Sequence, residues 1–339
     1  MARETSASLT SWHDSWADVS VAVVGLGESG FALADTLAEL GASTHVVSAA
    51  SDTDRETILG VLGVTVHPVA DDQEVVERVV SLNPDLVVVS PDWEPDIEVE
   101  TLLWDSPLAV WSDVEFGWVV ADKHGTRPDV AIIGGTSRGP ALADTAQRFL
   151  LHAGQRAARG GLDAPSILDA IRHPDGVDVL LWTLSDRQAW RMGHDTTTAR
   201  RPRVSAYLVD DGEGDLEVIQ AVYTHTVESC IYQPGSLGER ALQAADVIEG
   251  ARAIGVVTDT PGMSDLGRVD EVICDRAFLA DRKDRALELC TLDELIDAGF
   301  REPSAVELAI GAMAIARALG VSPEAIGGAL HAGGWPEHK

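Results

Sequence analysis

The chain has 339 residues, and 25 Lys and Arg against 55 Asp and Glu give it a formal net charge of −30. Because binding to phosphates needs a basic surface, this charge argues against nucleic acid and against an anionic membrane surface as partners. Hydrophobic residues make up 45% of the chain, as in ordinary globular proteins, and no apolar run reaches the ~18 residues of a membrane span.

The N-terminal residues lack the apolar core of a signal peptide, and residues 1–18 predict a polar, partly disordered tail. Trp12 and Trp16 lie one helical turn apart in this tail and can anchor it to the chain itself or to a partner. The three cysteines, Cys230, Cys274 and Cys290, are an odd number without metal-ligand spacing. We therefore expect a reduced, cytoplasmic chain without a metal site.

Strands and helices alternate through the first part of the chain. The predicted strands are valine-rich runs at 19–25, 45–48, 64–69, 85–90 and 108–111. The predicted helices cover 31–40, 51–62 and 71–81, with a further helical stretch after Asp113. Short apolar strands that alternate with helices favour a parallel sheet covered on both faces.

A polar segment with Gly and Pro, 123–129, predicts a linker to a second α/β pattern. That pattern has strands at 130–133, 177–182, 203–209 and 251–257, a helix at 141–153, a hairpin-like excursion at 269–280 and two amphipathic helices at 304–319 and 323–331. We expect flexible loops at 155–166 and 193–203. The second loop holds the basic run ARRPR, which predicts a solvated segment or a contact with an anionic ligand or partner.

A glycine-rich turn links the first predicted strand to the first helix and matches G-x-G-x-x-G. Its residues are Gly25, Leu26, Gly27, Glu28, Ser29 and Gly30. In this context glycines allow a tight turn, and helix N–H groups face a phosphate; alternatively, the glycines only allow close packing of strand and helix. NAD is disfavoured, because the second strand ends at Ser48 without the acid that would hold the ribose, and Glu28 would lie beside the diphosphate.

A second glycine-rich turn follows the strand at 130–133, in the position of a P-loop. Its residues are Gly134, Gly135, Thr136, Ser137, Arg138, Gly139 and Pro140. A working P-loop needs a lysine and a hydroxyl where this chain has Gly139 and Pro140. Arg138 does not replace a lysine held at one geometry. We therefore expect a structural turn here, with ATP binding as the alternative.

Several colinear motifs give the chain its resemblance to a known family. They are GLGESG, VVVSPDWEP, VWSDVEF, GGTSRGP, VLLWTLSDRQ and the long stretch from ADVIEGARAIG to VICDRAF. From residue 19 to residue 339 the chain resembles the Mur ligases, the ATP-dependent amide ligases of peptidoglycan precursor synthesis. The resemblance implies a Rossmann-like UDP-binding domain at 19–123 and a central P-loop-like ATPase domain at 124–331. Residues 332–339 resemble a hinge remnant, which implies that the family's C-terminal domain is absent.

The resemblance also carries family residues onto this chain, and most ATP-side positions have lost their chemistry. The P-loop lysine and threonine fall on Gly139 and Pro140, and a magnesium-binding glutamate falls on Thr183. A carbamylated lysine that holds a second magnesium falls at or near Glu228, where a solvated surface glutamate is the simpler interpretation. Further positions fall on residues that cannot replace the original groups: an asparagine that touches the substrate on Gly161, a helix asparagine near Val306, and a segment around 210–217 that has no histidine.

On the UDP side, the acid and threonine that read uracil fall on Ser48 and Ala49, and the glycine of an S-P-G turn after Ser90 falls on Asp92. The candidate UDP-type site is therefore the first glycine loop with Ser48 and Ser90. The leading hypothesis is a catalytically inactive Mur ligase homologue with a scaffolding or regulatory role, a protein partner and no cofactor. Two alternatives stay open: a ligase with a divergent ATP and magnesium site, and a module that binds a UDP-linked precursor.

Overall fold

The computed structural model describes residues 8–195, 200–208 and 214–335. The chain divides into two compact units. The first consists of described residues within Met1–Arg127, Pro165–Pro174 and Trp190–Arg200, and the second of those within Pro128–Ala164, Asp175–Ala189 and Arg201–Lys339. The predicted domain boundaries at 19–123 and 124–331 stay predictions.

The first unit is built on a parallel sheet. Its strands are β1 (Ser20–Val24), β2 (Ser43–Ser48), β3 (Thr65–Pro68), β4 (Leu86–Val89) and β5 (Val110–Ser112). Among the described residues they pair in the order β3-β2-β1-β4-β5, and every pairing is parallel. All four residues of β4 are buried, as expected of a strand covered on both faces. The predicted parallel α/β sheet is confirmed.

Helices connect these strands. They are α1 (Glu28–Glu39), α2 (Thr53–Val61), α3 (Asp72–Leu82), α4 (Ile97–Trp104) and α5 (Asp113–Val120). Side chains cap three of the N-termini: Asp52 accepts from the Arg55 amide, Asp71 from the Glu74 amide and Ser112 from the Glu115 amide. Helix α1 differs, because its N-cap residue is Gly27, which has no side chain to cap it.

The second unit is built on a larger mixed sheet. Its strands are β6 (Asp129–Gly134), β7 (Ala157–Gly161), β8 (Val179–Leu184), β9 (Val204–Tyr207), β10 (Ser229–Tyr232), β11 (Arg252–Val256), β12 (Asp265–Val269), β13 (Val272–Asp275) and β14 (Leu287–Thr291). In the described chain the order is β14-β13-β12-β11-β10-β9-β6-β8-β7. Only the β12–β13 and β13–β14 pairings of this described sheet are antiparallel.

The remaining helices are α6 (Gly139–His152), α7 (Ile167–Ile171), α8 (Asp186–His194), α9 (Leu216–Tyr223), α10 (Leu237–Ala244), α11 (Leu292–Asp297), α12 (Pro303–Ala318) and α13 (Pro323–Ala332). The prediction of an amphipathic helix at α12 is wrong. From Ala305 to Ala318, every residue but Arg317 is buried, because α12 contacts both α6 and the strands of the sheet. In the described parts of the chain, no helix is long and apolar enough to span a membrane.

Two further predictions need correction in the second unit. The predicted loop at 155–166 contains strand β7, which pairs in parallel with β8. Its sequence, AARGG, has no β-branched residue, so only the pairing makes it a strand. The hairpin begins earlier than predicted, since β12 and β13 pair around a turn at Asp270, which has a positive φ of 50°.

The described part of the tail, residues 8–18, is anchored to the chain itself, as one of the two alternatives for Trp12 and Trp16 predicts. Trp16 is buried, and its ring meets the Phe116 ring edge-on at 5.7 Å. Ser11 Oγ donates to Asp122 at 2.6 Å, and the Lys123 ammonium lies 3.9 Å from the Trp12 ring centre. The tail therefore packs on the first unit through both tryptophans; residues 1–7 lie outside the described residues.

Candidate functional site

The first glycine loop joins β1 to α1 and packs tightly against the turn that follows β4. Gly25 has a positive φ of 101°. A Cβ on Gly30 would collide with the Gly25 carbonyl, and a Cβ on Gly27 would collide with the Asp92 carboxylate. The glycines are therefore required by contacts within the chain itself, whether or not a ligand binds.

The Asp92 carboxylate lies at the N-terminus of α1. Its Oδ2 accepts from the Gly30 amide at 2.8 Å and from Ser90 Oγ at 2.9 Å. Ser90 Oγ in turn accepts from the Asp92 amide at 3.2 Å. This carboxylate caps a helix whose own N-cap residue is a glycine.

A cavity of about 400 Å³ opens beside this loop. Its lining residues include Gly25, Leu26, Gly27, Ser48, Ala49, Arg55, Asp72, Asp92, Trp93 and Glu94. The predicted UDP-type residues that line this cavity are Gly25, Leu26, Gly27 and Ser48. Glu28, Ser29 and Gly30 lie in the first turn of α1. Ser90 is buried, and its Oγ donates to Asp92, which lines the cavity.

A buried ion pair supports the turn that carries Asp92. Arg191 Nε donates to Glu100 at 2.5 Å, and both side chains are fully buried. The same guanidinium donates to the carbonyls of Ser90 and Trp93. Sequence reasoning missed this pair, because the two residues are 91 positions apart and neither belongs to a motif.

The second glycine loop joins β6 to α6, and its only cation points into the protein. Arg138 Nη1 donates to Glu307 at 3.2 Å, and Nη2 donates to the Ser304 carbonyl at 2.6 Å. Arg138 and Glu307 are both buried. At the expected lysine and hydroxyl positions, Gly139 and Pro140 are buried in the first turn of α6 and carry neither an amine nor a hydroxyl.

The position assigned to a magnesium-binding glutamate lies inside the sheet. Thr183 is fully buried on β8, and its Oγ1 lies 2.9 Å from the Leu162 carbonyl and 3.3 Å from that of Gly160. A Cβ on the neighbouring Gly161, which has a φ of 105°, would collide with the Thr183 carbonyl. An asparagine is therefore strained at 161. Val306 packs in the hydrophobic core on α12.

Glu228 lies at the N-terminal ends of the parallel strands, whereas the second glycine loop lies at their C-terminal ends. It immediately precedes β10, whereas the loop follows β6, and these strands run in the same direction. Arg203 Nε donates to Glu228 at 2.5 Å and also pairs with Asp129. Glu228 is thus an ion-pair partner of Arg203, and its assignment to a magnesium-holding position stays a prediction. Among the described His, Cys, Asp and Glu side chains, no group of three or more could hold a metal ion.

The described part of the basic run, residues 200–203, is only partly solvated: Arg201 is exposed and Pro202 is buried, so the prediction of a solvated loop at 193–203 is corrected at Arg200. Arg200 is buried and donates to Glu115 at 2.6 Å and to Asp195. Asp195 also accepts from the Ser112 amide and hydroxyl. Burial raises the pKa of Glu115 to about 8 and raises the pKa of Asp195, although the Arg200 guanidinium opposes both shifts. Residues 196–199 and 209–213 lie outside the described residues, and the second range overlaps the segment around 210–217 that has no histidine.

Comparison with known proteins gives relatives of one kind. No family model matches the chain. The chain is 40% identical over 338 residues to a UDP-N-acetylmuramoylalanine–D-glutamate ligase of Leifsonia xyli, covering 94% of this chain and 65% of the relative. Proteins of the same name from Tropheryma whipplei and Streptomyces avermitilis are each 32% identical, covering 95% and 94% of this chain and 68% and 67% of the relatives. The chain thus spans about two thirds of the length of these proteins.

Solved structures agree on the fold. A murein peptide ligase from Psychrobacter arcticus matches with a TM-score of 0.52 at 15% identity, over 94% of this chain and 68% of that one. A UDP-N-acetylmuramate:L-alanyl-γ-D-glutamyl-meso-diaminopimelate ligase from Neisseria meningitides matches with a TM-score of 0.52 at 13% identity, over 95% and 99%. At these identities the structures establish the α/β fold alone.

Proposed function

We propose a function for this chain on the basis of its family. The chain belongs to the UDP-N-acetylmuramoylalanine–D-glutamate ligase family, a family of Mur ligases. This membership relates it to peptidoglycan precursor synthesis. Within that setting, the proposed function is that of a catalytically inactive, cytoplasmic homologue that acts through a protein partner as a scaffold or regulator.

The observation that supports inactivity is the engagement of Arg138. Phosphoryl transfer depends on cations and hydroxyls that neutralise and position the terminal phosphates. The only cation of the second glycine loop contacts Glu307 and the Ser304 carbonyl instead. Losing a single electrostatic stabiliser of this kind can lower a rate by ~10²–10³, and this loop lacks both the amine and the hydroxyl.

ATP and magnesium, which the family implies, do not fit the residues present. Gly139 and Pro140 offer no amine and no hydroxyl, and the Thr183 hydroxyl is buried within hydrogen-bonding distance of the Leu162 carbonyl. Magnesium prefers carboxylates and phosphate oxygens in an octahedral arrangement. Glu228, the remaining assigned anion, is paired with Arg203 at the N-terminal ends of the parallel strands. The proposed function therefore involves no step through a nucleotide.

Thermal unfolding of the full chain with and without ATP and magnesium tests this proposal. A ligand at 100 times its Kd would stabilise the folded chain by about 2.7 kcal/mol, and we expect no such shift at millimolar ATP. Arg138→Met is the matched variant: it should lower stability and leave the absence of an ATP effect unchanged. A saturable ATP-dependent shift that Arg138→Met abolishes would refute the proposal.

A second candidate is an active ligase with a divergent ATP site, which the names of the relatives favour. Release of phosphate from ATP that requires both D-glutamate and UDP-N-acetylmuramoyl-L-alanine would establish it. The Leifsonia xyli relative, assayed under the same conditions, is the positive control. Because the chain spans only about two thirds of that relative, ligase activity of the whole protein is itself a proposal.

A further inference from the structure

Asp92 places a negative charge where the first glycine loop would otherwise offer bare N–H groups. The Asp92 carboxylate accepts from the Gly30 amide at 2.8 Å, and Gly27 approaches it so closely that no side chain fits between them. A helix N-terminus favours an anion through its dipole and its unpaired N–H groups. In this chain the anion is part of the protein.

The Asp92 carboxylate is held in place on several sides. Ser90 Oγ donates to the oxygen that accepts from Gly30, and the Asp92 amide donates back to Ser90 Oγ. Residues 90 and 93, which flank Asp92 in the turn, present their carbonyls to the buried Arg191 guanidinium. A phosphate at the Gly30 amide would have to replace the contacts of the Asp92 carboxylate with that amide and with Ser90 Oγ.

The cavity next to Asp92 adds further negative charge. Asp52, Asp72 and Glu94 also line it, and Arg55 is the single cation among its lining residues. Arg55 is already paired with Asp52 at 2.9 Å. A diphosphate in this cavity would therefore meet several carboxylates, which repel it, and a lining cation that is already paired.

We propose that Asp92 is a specificity-determining residue that excludes nucleoside diphosphates from the cavity by occupying the N-terminus of α1 itself. The cavity then accepts only ligands with an uncharged or cationic group at this end. The inference concerns the first unit and does not depend on whether the loop in the second unit binds ATP.

Binding of uridine and UDP to the full chain, measured by titration calorimetry, tests the proposal. The variants are Asp92→Gly and Asp92→Asn, and Asp105→Asn, at an exposed position outside the cavity, is the control for the change in net charge. Comparing UDP with uridine isolates the contribution of the phosphates. Asp92→Asn keeps an oxygen acceptor for the Gly30 amide, so it stays informative if Asp92→Gly fails to fold.

We expect the original chain and Asp105→Asn to bind UDP no more tightly than uridine. In Asp92→Gly or Asp92→Asn, UDP should bind at least about tenfold more tightly than in the original chain, a change of about 1.4 kcal/mol. Two results overturn the proposal: micromolar UDP binding by the original chain, or UDP affinity that stays the same in folded Asp92 variants. ATP binding at the second loop alters neither result.

Discussion

Replacing Arg191 with methionine should destabilise the first unit strongly. The change removes the guanidinium that pairs with the fully buried Glu100 at 2.5 Å and that donates to the Ser90 and Trp93 carbonyls. Removing one partner of a buried ion pair typically costs about 3–5 kcal/mol, because a charge is left in the interior without its partner. At about 2–4 °C per kcal/mol for a domain of this size, Tm should fall by roughly 6–20 °C.

Urea and thermal unfolding followed by circular dichroism measure this effect, and two further variants sharpen it. Arg191→Met combined with Glu100→Leu should recover part of the lost stability, because the buried carboxylate that lost the Arg191 guanidinium is then gone. Arg285→Met is the matched control, since Arg285 pairs with Asp281 on the surface at 3.2 Å. Exposed pairs contribute ~0–1 kcal/mol. If Arg191→Met costs no more than Arg285→Met, the assignment of a structural role to the buried pair is refuted.

Three further changes have defined outcomes. The pKa of Glu115 is about 8 in the folded chain against an ordinary value of 4.5, so the unfolded chain releases this proton first and stability should fall as pH rises from 4.5 to 8. Glu115→Gln should weaken this pH-dependent loss of stability, measured by urea unfolding at a series of pH values. An unchanged pH profile would contradict the burial of Glu115. Gly161→Ala should cost about 1–3 kcal/mol from backbone strain alone, with additional loss from collision with the Thr183 carbonyl; a neutral effect on Tm would disprove this. Trp16→Ala should cost about 3–5 kcal/mol, because the ring is buried against Phe116, and near-native stability would show that the tail is not anchored.

The sequence alone is sufficient to predict the strands and helices that have strong local patterns. Valine-rich runs such as β4 and the glycine turns before α1 and α6 predict a parallel α/β fold, because burial on both faces requires apolar strands. Strand β7 was missed, since AARGG becomes a strand only through pairing with β8. Local patterns do not report such long-range contacts.

The candidate sites were harder to predict than the fold. Motif spacing located both glycine loops, but it did not show that Asp92 occupies the first or that Arg138 turns away from the second. Glu228 was assigned from the resemblance alone, and only strand direction shows that it lies at the N-terminal ends of the parallel strands. Side-chain direction depends on partners such as Glu307, which is 169 residues from Arg138.

The crowding around Gly27 and Gly30 has a consequence for how the G-x-G-x-x-G fingerprint is interpreted. Any larger residue at either position would strike the protein's own backbone or the Asp92 side chain. Packing within this chain therefore opposes any larger residue at these two positions, whether or not a nucleotide binds. In this chain the fingerprint records how closely the turn approaches its neighbours, and by itself it is not evidence of a bound nucleotide.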